Sequence, residues 1–367
     1  MILRRIGTQC LKELRQFRRD RLSVGLAFVL PALMLMIFGF GIRLESHDIP
    51  IAVADEDVTT TSRTIVERLF ATNVFRAVPF ERAPGESATA ALDRGIARAT
   101  IVIPPGYERA MLAGHPVPLE ITIDGSDVVN ARVIRNELLA TTSAYAAARV
   151  DVIRPRVRIW FNPGRREALY IIPGIYAIVI GIFPALLAAI AAVRDREEGT
   201  IMQVYASSVG ATEYLLGKTF AYALVGLAEA TAIMLLGALI WGLLPVGDVT
   251  PLFICTPLYC FTVVALGMAV GSRTTTQSAA VQAIATVSNL PAVLLTGFLY
   301  PISNIPWPLN LLSYVIPARY FIDVSRDAFV RGSGWDGVVA APFALALIAL
   351  VCLAVARRSL GAMRLTA

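Results

Sequence analysis

The sequence predicts an α-helical integral membrane protein with six transmembrane helices, cytoplasmic N- and C-termini, and an α/β extracytoplasmic domain inserted after the first span. Three observations predict it. Of 367 residues, 56% are hydrophobic and only 16% charged, where a soluble domain carries about 25% charged residues. The apolar residues come in uncharged runs, and about 20 such residues suffice to cross a bilayer. A single long stretch of ordinary polarity, 43–168, separates the first run from the second.

The runs place the spans. Leu22 to Ile42 carries no charge and predicts a first span over 22–42. Uncharged runs also predict spans over 169–193, 251–271 and 337–356, and a span over 218–243 carries one acid, Glu229. Thr274 to Ala318 is uncharged but too long for one crossing. Its prolines 301, 306 and 308 divide it into a span over 278–300 and an irregular start to a link over 301–336. The first run exceeds the 7–15 residues of a signal-peptide core and no A-x-A site follows it, so it reads as an uncleaved anchor.

Charge sets the orientation. Basic residues in the segments 1–21, 194–217, around Arg273 and 357–367, with Lys218, number fourteen. The short links on the other side hold three, Arg319, Arg326 and Arg331. The positive-inside rule then puts both termini in the cytoplasm and 43–168 outside. A net charge of +6 raises nucleic acid as a partner. Only two of the basic residues are lysine, and nothing resembles a recognition helix or an aromatic RNA platform, so no nucleic acid is expected.

Residues 1–21 form an amphipathic pattern. Leu3, Ile6, Cys10, Leu14 and Phe17 make one helical stripe, with Arg4, Arg5, Lys12, Arg15 and Arg18 around it. A helix of this kind lies among lipid headgroups. It either sets topology alone or also acts as an elbow that touches a cytoplasmic partner. In 43–168, strands are expected at Ile49–Ala54, Ala99–Ile103 and Leu119–Ile123. Helices are expected at Val58–Phe70, Tyr107–Ala113 and Val128 to about Ile153. Asp55, Glu56 and Asp57 read either as a cation site or as a turn and helix cap. The domain has no cysteine; the four cysteines lie elsewhere.

The most informative segment follows the second span: Arg194-Asp195-Arg196-Glu197-Glu198-Gly199-Thr200, then Ile201 to Ser208, then Gly217-Lys218. On charge alone it is a solvated helix end. The whole string, however, resembles the permeases of the ABC-2 type exporter family, which carry alternating Arg and Glu, Gly-Thr, a short amphipathic helix and Gly-Lys in this order. The resemblance extends to the basic N-terminal helix, to Ile51–Asp55, Ile103–Tyr107 and Ile123–Ser126, and to the Pro-rich link. Ser207-Ser208-Val209 stands where the family often has proline. The large inserted domain points to the drug-efflux-like branch. The resemblance implies that Arg194, Asp195, Arg196, Glu197, Glu198, Gly199 and Thr200 form a coupling element for a cytoplasmic ABC ATPase. It also implies export of drug-like or lipid-like amphiphiles through an inner membrane, and ATP and Mg bound by that partner rather than by this chain. Six spans hardly enclose a path for a bulky amphiphile, so a homodimer, or a heterodimer with a paralogous permease, is expected. A periplasmic adaptor is a further expected partner.

The chain itself carries no phosphate loop. Gly210 and Gly217-Lys218 are separated by six residues rather than four, with no strand before them. No catalytic triad pattern and no metal-ligand spacing occurs, so neither enzyme activity nor a metal is expected. Glu229 lies near mid-membrane, where an acid costs about 2.5–3.5 kcal/mol. It is either a carboxyl of the transport path or a structural hydrogen-bonding group. Gly267 and Gly271 form a small-xxx-small pattern without an assigned partner. Arg319 to Phe329 predicts an amphipathic helix, re-entrant or interfacial, with Arg319 paired to Asp323. Two rivals to the permease stay open: an anchored sensor or assembly protein, and a membrane-embedded enzyme.

Overall fold

The computed structural model describes residues 2–41, 48–72, 74–79, 89–113, 115, 118–126, 128–147, 167–200, 209–299 and 301–362. In chain order the main elements are α1 (Ile2–Arg19), α2 (Arg21–Gly41), β1 (Ile49–Asp55), α3 (Thr60–Phe70), β2 (Phe75–Val78), α4 (Ala90–Asp93), β3 (Ala99–Ile103), α5 (Tyr107–Leu112), β4 (Glu120–Ile123) and α6 (Val128–Ala147). Then follow α7 (Glu167–Glu197), α8 (Ala211–Trp241), α9 (Thr250–Gly271), α10 (Gln277–Leu295), α11 (Pro317–Arg326) and α12 (Ala340–Ala362). The chain divides into two compact units, Arg43–Arg158 and the rest.

The larger unit contains six helices long and apolar enough to cross a membrane: α2, α7, α8, α9, α10 and α12. Their starts follow from local chemistry. The Asp20 carboxylate accepts the amides of Leu22 and Ser23, so a single residue ends α1 and caps α2. Asp20 also accepts the Ser23 hydroxyl at 2.6 Å, which with those amides holds its carboxyl below the usual range. Helix α8 begins seven residues earlier than the sequence predicts. The Glu213 carboxylate accepts the Gly210 amide at 2.9 Å and starts the helix there. Gly217-Lys218 therefore lies well inside α8 rather than at its start.

Helix α7 is the centre of this unit, packed against α2, α8, α9, α10 and α11. Between lipid-facing helices burial supplies no driving force, so close approach and van der Waals contact must hold them together. The small residues of α7 make that approach feasible. Gly267 and Gly271 of α9 stand over the carbonyls of Ala185 and Ala189 of α7, leaving no room for a Cβ at either glycine. The small-xxx-small pattern thus finds its partner in α7. Tyr259 of α9 donates to the Ala177 carbonyl at 2.6 Å, over Gly181, and stacks on Phe321 with ring centroids 4.4 Å apart.

The link before α12 is a packed element. Phe321, Ile322 and Val324 of α11, with Phe329 beyond it, belong to the main apolar core. These side chains are packed inside the unit. Arg319 stacks on Tyr314 at 3.9 Å and bonds to the Ser313 hydroxyl, in place of the expected partner Asp323. Arg326 donates to the carbonyls of Gly297 and Phe298 just past α10.

The smaller unit is a four-stranded sheet in the order β2-β1-β3-β4. Strand β1 pairs parallel with β2 and β3, and β4 pairs antiparallel with β3. All five residues of β3 are buried, Thr100 among them, as suits a central strand covered on both faces. Ile49, Ile51, Phe75, Ala99 and Ile101 pack with Leu69 of α3 and with Ile134 and Leu138 of α6. Strand β2 escapes the sequence reading because it is a four-residue edge strand with Arg76 exposed. Asp55 accepts the amides of Asp57 and Val58 and the Ser62 hydroxyl. Asp57 accepts the Thr59 hydroxyl and the amides of Gly106 and Glu108, which hold its carboxyl below the usual range. These acids tie a turn and a helix start to the neighbouring loop, which is the turn reading.

The glycine contacts carry a stability prediction. Gly267→Ala forces α9 off α7 and costs about 1–3 kcal/mol, the range for overpacking. Gly25→Ala, with open space around it, is neutral or slightly stabilising, since alanine is the better helix former. Thermal unfolding of the two variants in detergent, followed by tryptophan fluorescence, separates them.

Candidate functional site: a buried charge cluster joining α1, α7 and α8

Four charged side chains from three helices meet out of solvent. Lys218 of α8 is fully buried, 2.8 Å from the Asp195 carboxylate at the end of α7 and 3.5 Å from Glu13 of α1. Arg194 lies 3.9 Å from Glu13 and 3.8 Å from Asp20. The Tyr214 hydroxyl donates to Asp195 at 2.5 Å, and Lys218 also donates to the Ala191 carbonyl at 2.6 Å. Gln9 donates to Glu13 at 3.1 Å. The two cations and the acids Glu13 and Asp195 balance in charge, which is what makes their burial tolerable.

The local sequence explains the geometry. Gly217 has no side chain, so α1 approaches α8 closely; a Cβ there would lie 2.6 Å from that of Gln9. Lys218 then points beneath α1, where only a paired cation is stable. The Gly-Lys pair is therefore a packing and pairing device.

The predicted coupling residues separate into two groups. Arg194 and Asp195 are buried in the cluster. Arg196 donates to the carbonyls of Gly271 and Ser272, capping the end of α9. Thr200 donates to the Asp195 carbonyl, and Gly199 takes a left-handed conformation where the helix ends. Glu197 and Glu198 are exposed, and Glu197 accepts the Gln277 amide at the start of α10. The short helix expected over 201–208 lies outside the described residues. On α1, Arg4, Lys12, Arg15 and Arg18 are exposed, while Arg5 pairs with Glu213 at 3.5 Å. Of the expected apolar stripe, Leu3 is exposed and Phe17 buried.

Sequence reasoning missed Glu13. Its signal was present: it is the one acid among the basic residues of α1, on the flank of the apolar stripe. Glu229 is fully buried, and neither carboxylate oxygen has a hydrogen-bond partner among the described residues. The structural hydrogen bond that was its bland alternative is thus not found there. One turn earlier, Gly226 packs against Pro184 and Cys260, so Glu229 belongs to the face of α8 that meets α7 and α9. Among the described residues no group of three His, Cys, Asp or Glu could hold a metal.

The cluster generates a prediction. Lys218→Met leaves Glu13 and Asp195 facing each other in the interior and costs about 3–5 kcal/mol, the price of a broken buried pair. Arg5→Ala, which opens a longer pair to Glu213 from a half-exposed side chain, costs less than Lys218→Met. Thermal midpoints in detergent measure both.

The comparisons with known proteins agree with this architecture. Residues 21–358 match the model of the ABC-2 family transporter protein. The chain is 27% identical to the probable multidrug ABC transporter permease YbhS of Escherichia coli (strain K12), covering 90% of this chain and 89% of that protein. It is 23% identical to the probable multidrug ABC transporter permease YbhR of the same strain, over 90% of this chain and 91% of that protein. It is 24% identical to that strain's inner membrane transport permease YhhJ, over 91% of each. The family match spans the six long helices and the inserted unit together, and the chain therefore belongs to the ABC-2 transporter family.

Proposed function

We propose that this chain is the membrane-spanning permease subunit of an ATP-driven exporter in an inner membrane. Residues 1–21, 194–217 and 357–367 face the cytoplasm, and the domain 43–168 faces outward. The observation that carries the reading is the family match over 21–358. The names of its relatives, two probable multidrug ABC transporter permeases and an inner membrane transport permease, support it. The six apolar helices supply the membrane part.

The ATPase is a separate cytoplasmic ABC subunit that binds ATP and Mg and docks on the segment 194–208. Two features support that docking place. Glu197 and Glu198 stand exposed just beyond the buried cluster, and the cluster ties their helix to α1 and α8. A push on the segment is therefore delivered to α7, α8 and α1 at once. ATP drives the cycle only because it binds the partner's two states with different affinity.

The permease works as a homodimer or with a paralogous permease. Helix α10 supports this. Ser278, Gln282 and Thr286 are exposed at a spacing of four residues, a polar stripe along one side of the span. Such a stripe is costly against lipid and is satisfied against a second subunit or a wet path. Glu229 is the carboxyl of the transport path, open to a cationic group or a proton. Drug-like or lipid-like amphiphiles are the cargo, and a periplasmic adaptor would meet the outward unit.

Purification of the tagged chain from native membranes in mild detergent tests the reading. A cytoplasmic ATPase co-purifies, and Glu198→Lys removes it while the permease itself stays folded. Absence of an ATPase across several detergents would return the sensor and enzyme readings. In vesicles, Glu229→Gln retains the ATPase but loses ATP-dependent export; normal export by that variant would leave Glu229 without a role.

A further inference from the structure

Helix α1 meets α8 along one stripe. Arg5 pairs with Glu213, Gln9 covers Gly217, Glu13 faces Lys218, and the ring of Phe17 stands edge-on to Tyr222 with centroids 6.4 Å apart. The α1 members recur every four residues, so α1 lies alongside the first three turns of α8. Its remaining packing is mainly against α2, to which it is joined through Asp20.

The chemistry of this stripe is unusual for a helix that serves only as an anchor. An amphipathic anchor needs apolar residues inward and cations outward. Here the inward face carries an acid, Glu13, that is fully buried between two cations. Buried ion pairs stabilise little relative to apolar residues of the same volume, so stability alone does not account for them. What they provide is position: each charge holds its partners in place. The cluster is also unevenly closed. Lys218 is close to Asp195, at 2.8 Å, and looser on Glu13, at 3.5 Å. Glu13 Oε2 and Arg194 Nη2 face each other at 3.9 Å, and neither makes a hydrogen bond among the described residues. Glu13 thus sits between α7 and α8 with attraction to both.

We propose that Glu13 and Lys218 are positioning residues that fasten α1 to the end of α7 and the start of α8, so that α1 travels with the ATPase-docking segment as one body during the transport cycle. The inference rests on the permease reading above and adds to it the part that moves. Glu13 is the residue that makes α1 a moving element, and Gly217 is what lets it reach Lys218.

The test uses the permease co-purified with its ATPase in lipid nanodiscs. Spin labels replace the exposed Leu11 of α1 and the exposed Arg357 of α12 by way of cysteine, with Cys10→Ser removing the half-buried native thiol. Distances are measured by pulsed electron resonance without nucleotide and after ATP turnover in the presence of vanadate, which traps ADP on the ATPase. The variants are Glu13→Gln, Lys218→Met and both together. Each single change leaves one uncompensated buried charge and lowers the thermal midpoint; the double change restores charge balance and brings the midpoint back. The expected result is a shift in the label distance on vanadate trapping for the unaltered pair. In the double variant that shift disappears, although assembly, midpoint and ATP hydrolysis are retained. A full shift in the stable double variant overturns the proposal, because the charges would then serve stability alone. A bound, active ATPase with no shift in the unaltered pair also overturns it, and leaves the permease reading standing. If no ATPase co-purifies, the permease reading fails and takes the inference with it. A second measurement is independent of the folding of the double variant. A short thiol cross-link between Arg5→Cys and Glu213→Cys fixes α1 to α8. Two elements that move together tolerate it with the ATP-driven shift intact, and loss of the shift on cross-linking counts against the proposal.

Discussion

The bundle depends on how closely α9 approaches α7. In lipid, apolar side chains gain nothing by turning from hydrocarbon to each other, so association must come from contact and hydrogen bonding. Gly267 and Gly271 over the backbone of Ala185 and Ala189 provide the contact. Tyr259 provides the hydrogen bond, to the Ala177 carbonyl above Gly181. The same ring stacks on Phe321 and draws α11 into the core. Once α7 and α9 are fixed, the other elements of the unit have a surface to pack on.

One to two turns beyond Ala189, at the end of α7, the interaction changes in kind. Apolar close packing gives way to a cluster of Arg194, Asp195, Lys218 and Glu13, sealed by Tyr214 and Tyr222. Removing four charges from water is expensive, and their mutual attraction offsets that cost only while every partner is present. A joint of this kind is stiff in position and sensitive to any single change. It lies immediately before the exposed Glu197 and Glu198. Its neighbours are therefore coupled: a displacement of that helix end cannot leave α1 and α8 undisturbed without separating buried charges.

The inserted unit obeys the rules of a water-soluble domain. Its sheet has a fully buried central strand, helices packed on it, and acids that cap turns and a helix start. The two units thus pair their backbone polar groups by different means: helices in one, and a paired sheet with helices packed on it in the other.

The sequence by itself determined the long apolar helices and three of the four strands, but not the edge strand β2, the short α4 or the start of α8. Uncharged runs of sufficient length give spans in any context, because the bilayer selects on length and polarity alone. Unbroken β-branched runs such as Ala99–Ile103 likewise read as central strands. Local patterns also revealed the family and its charged segment. What the tertiary structure decided was which residues of that segment face inward. Arg194 and Glu198 look alike in sequence, yet one is buried against Glu13 and the other is exposed. The early start of α8, capped by Gly210, moved Gly217-Lys218 from the expected start of the span to a helical contact with α1. Glu13 and Lys218 are some two hundred residues apart, and no local periodicity can record that pairing. It exists only because a glycine lets two helix backbones meet, and a buried charge then requires its opposite.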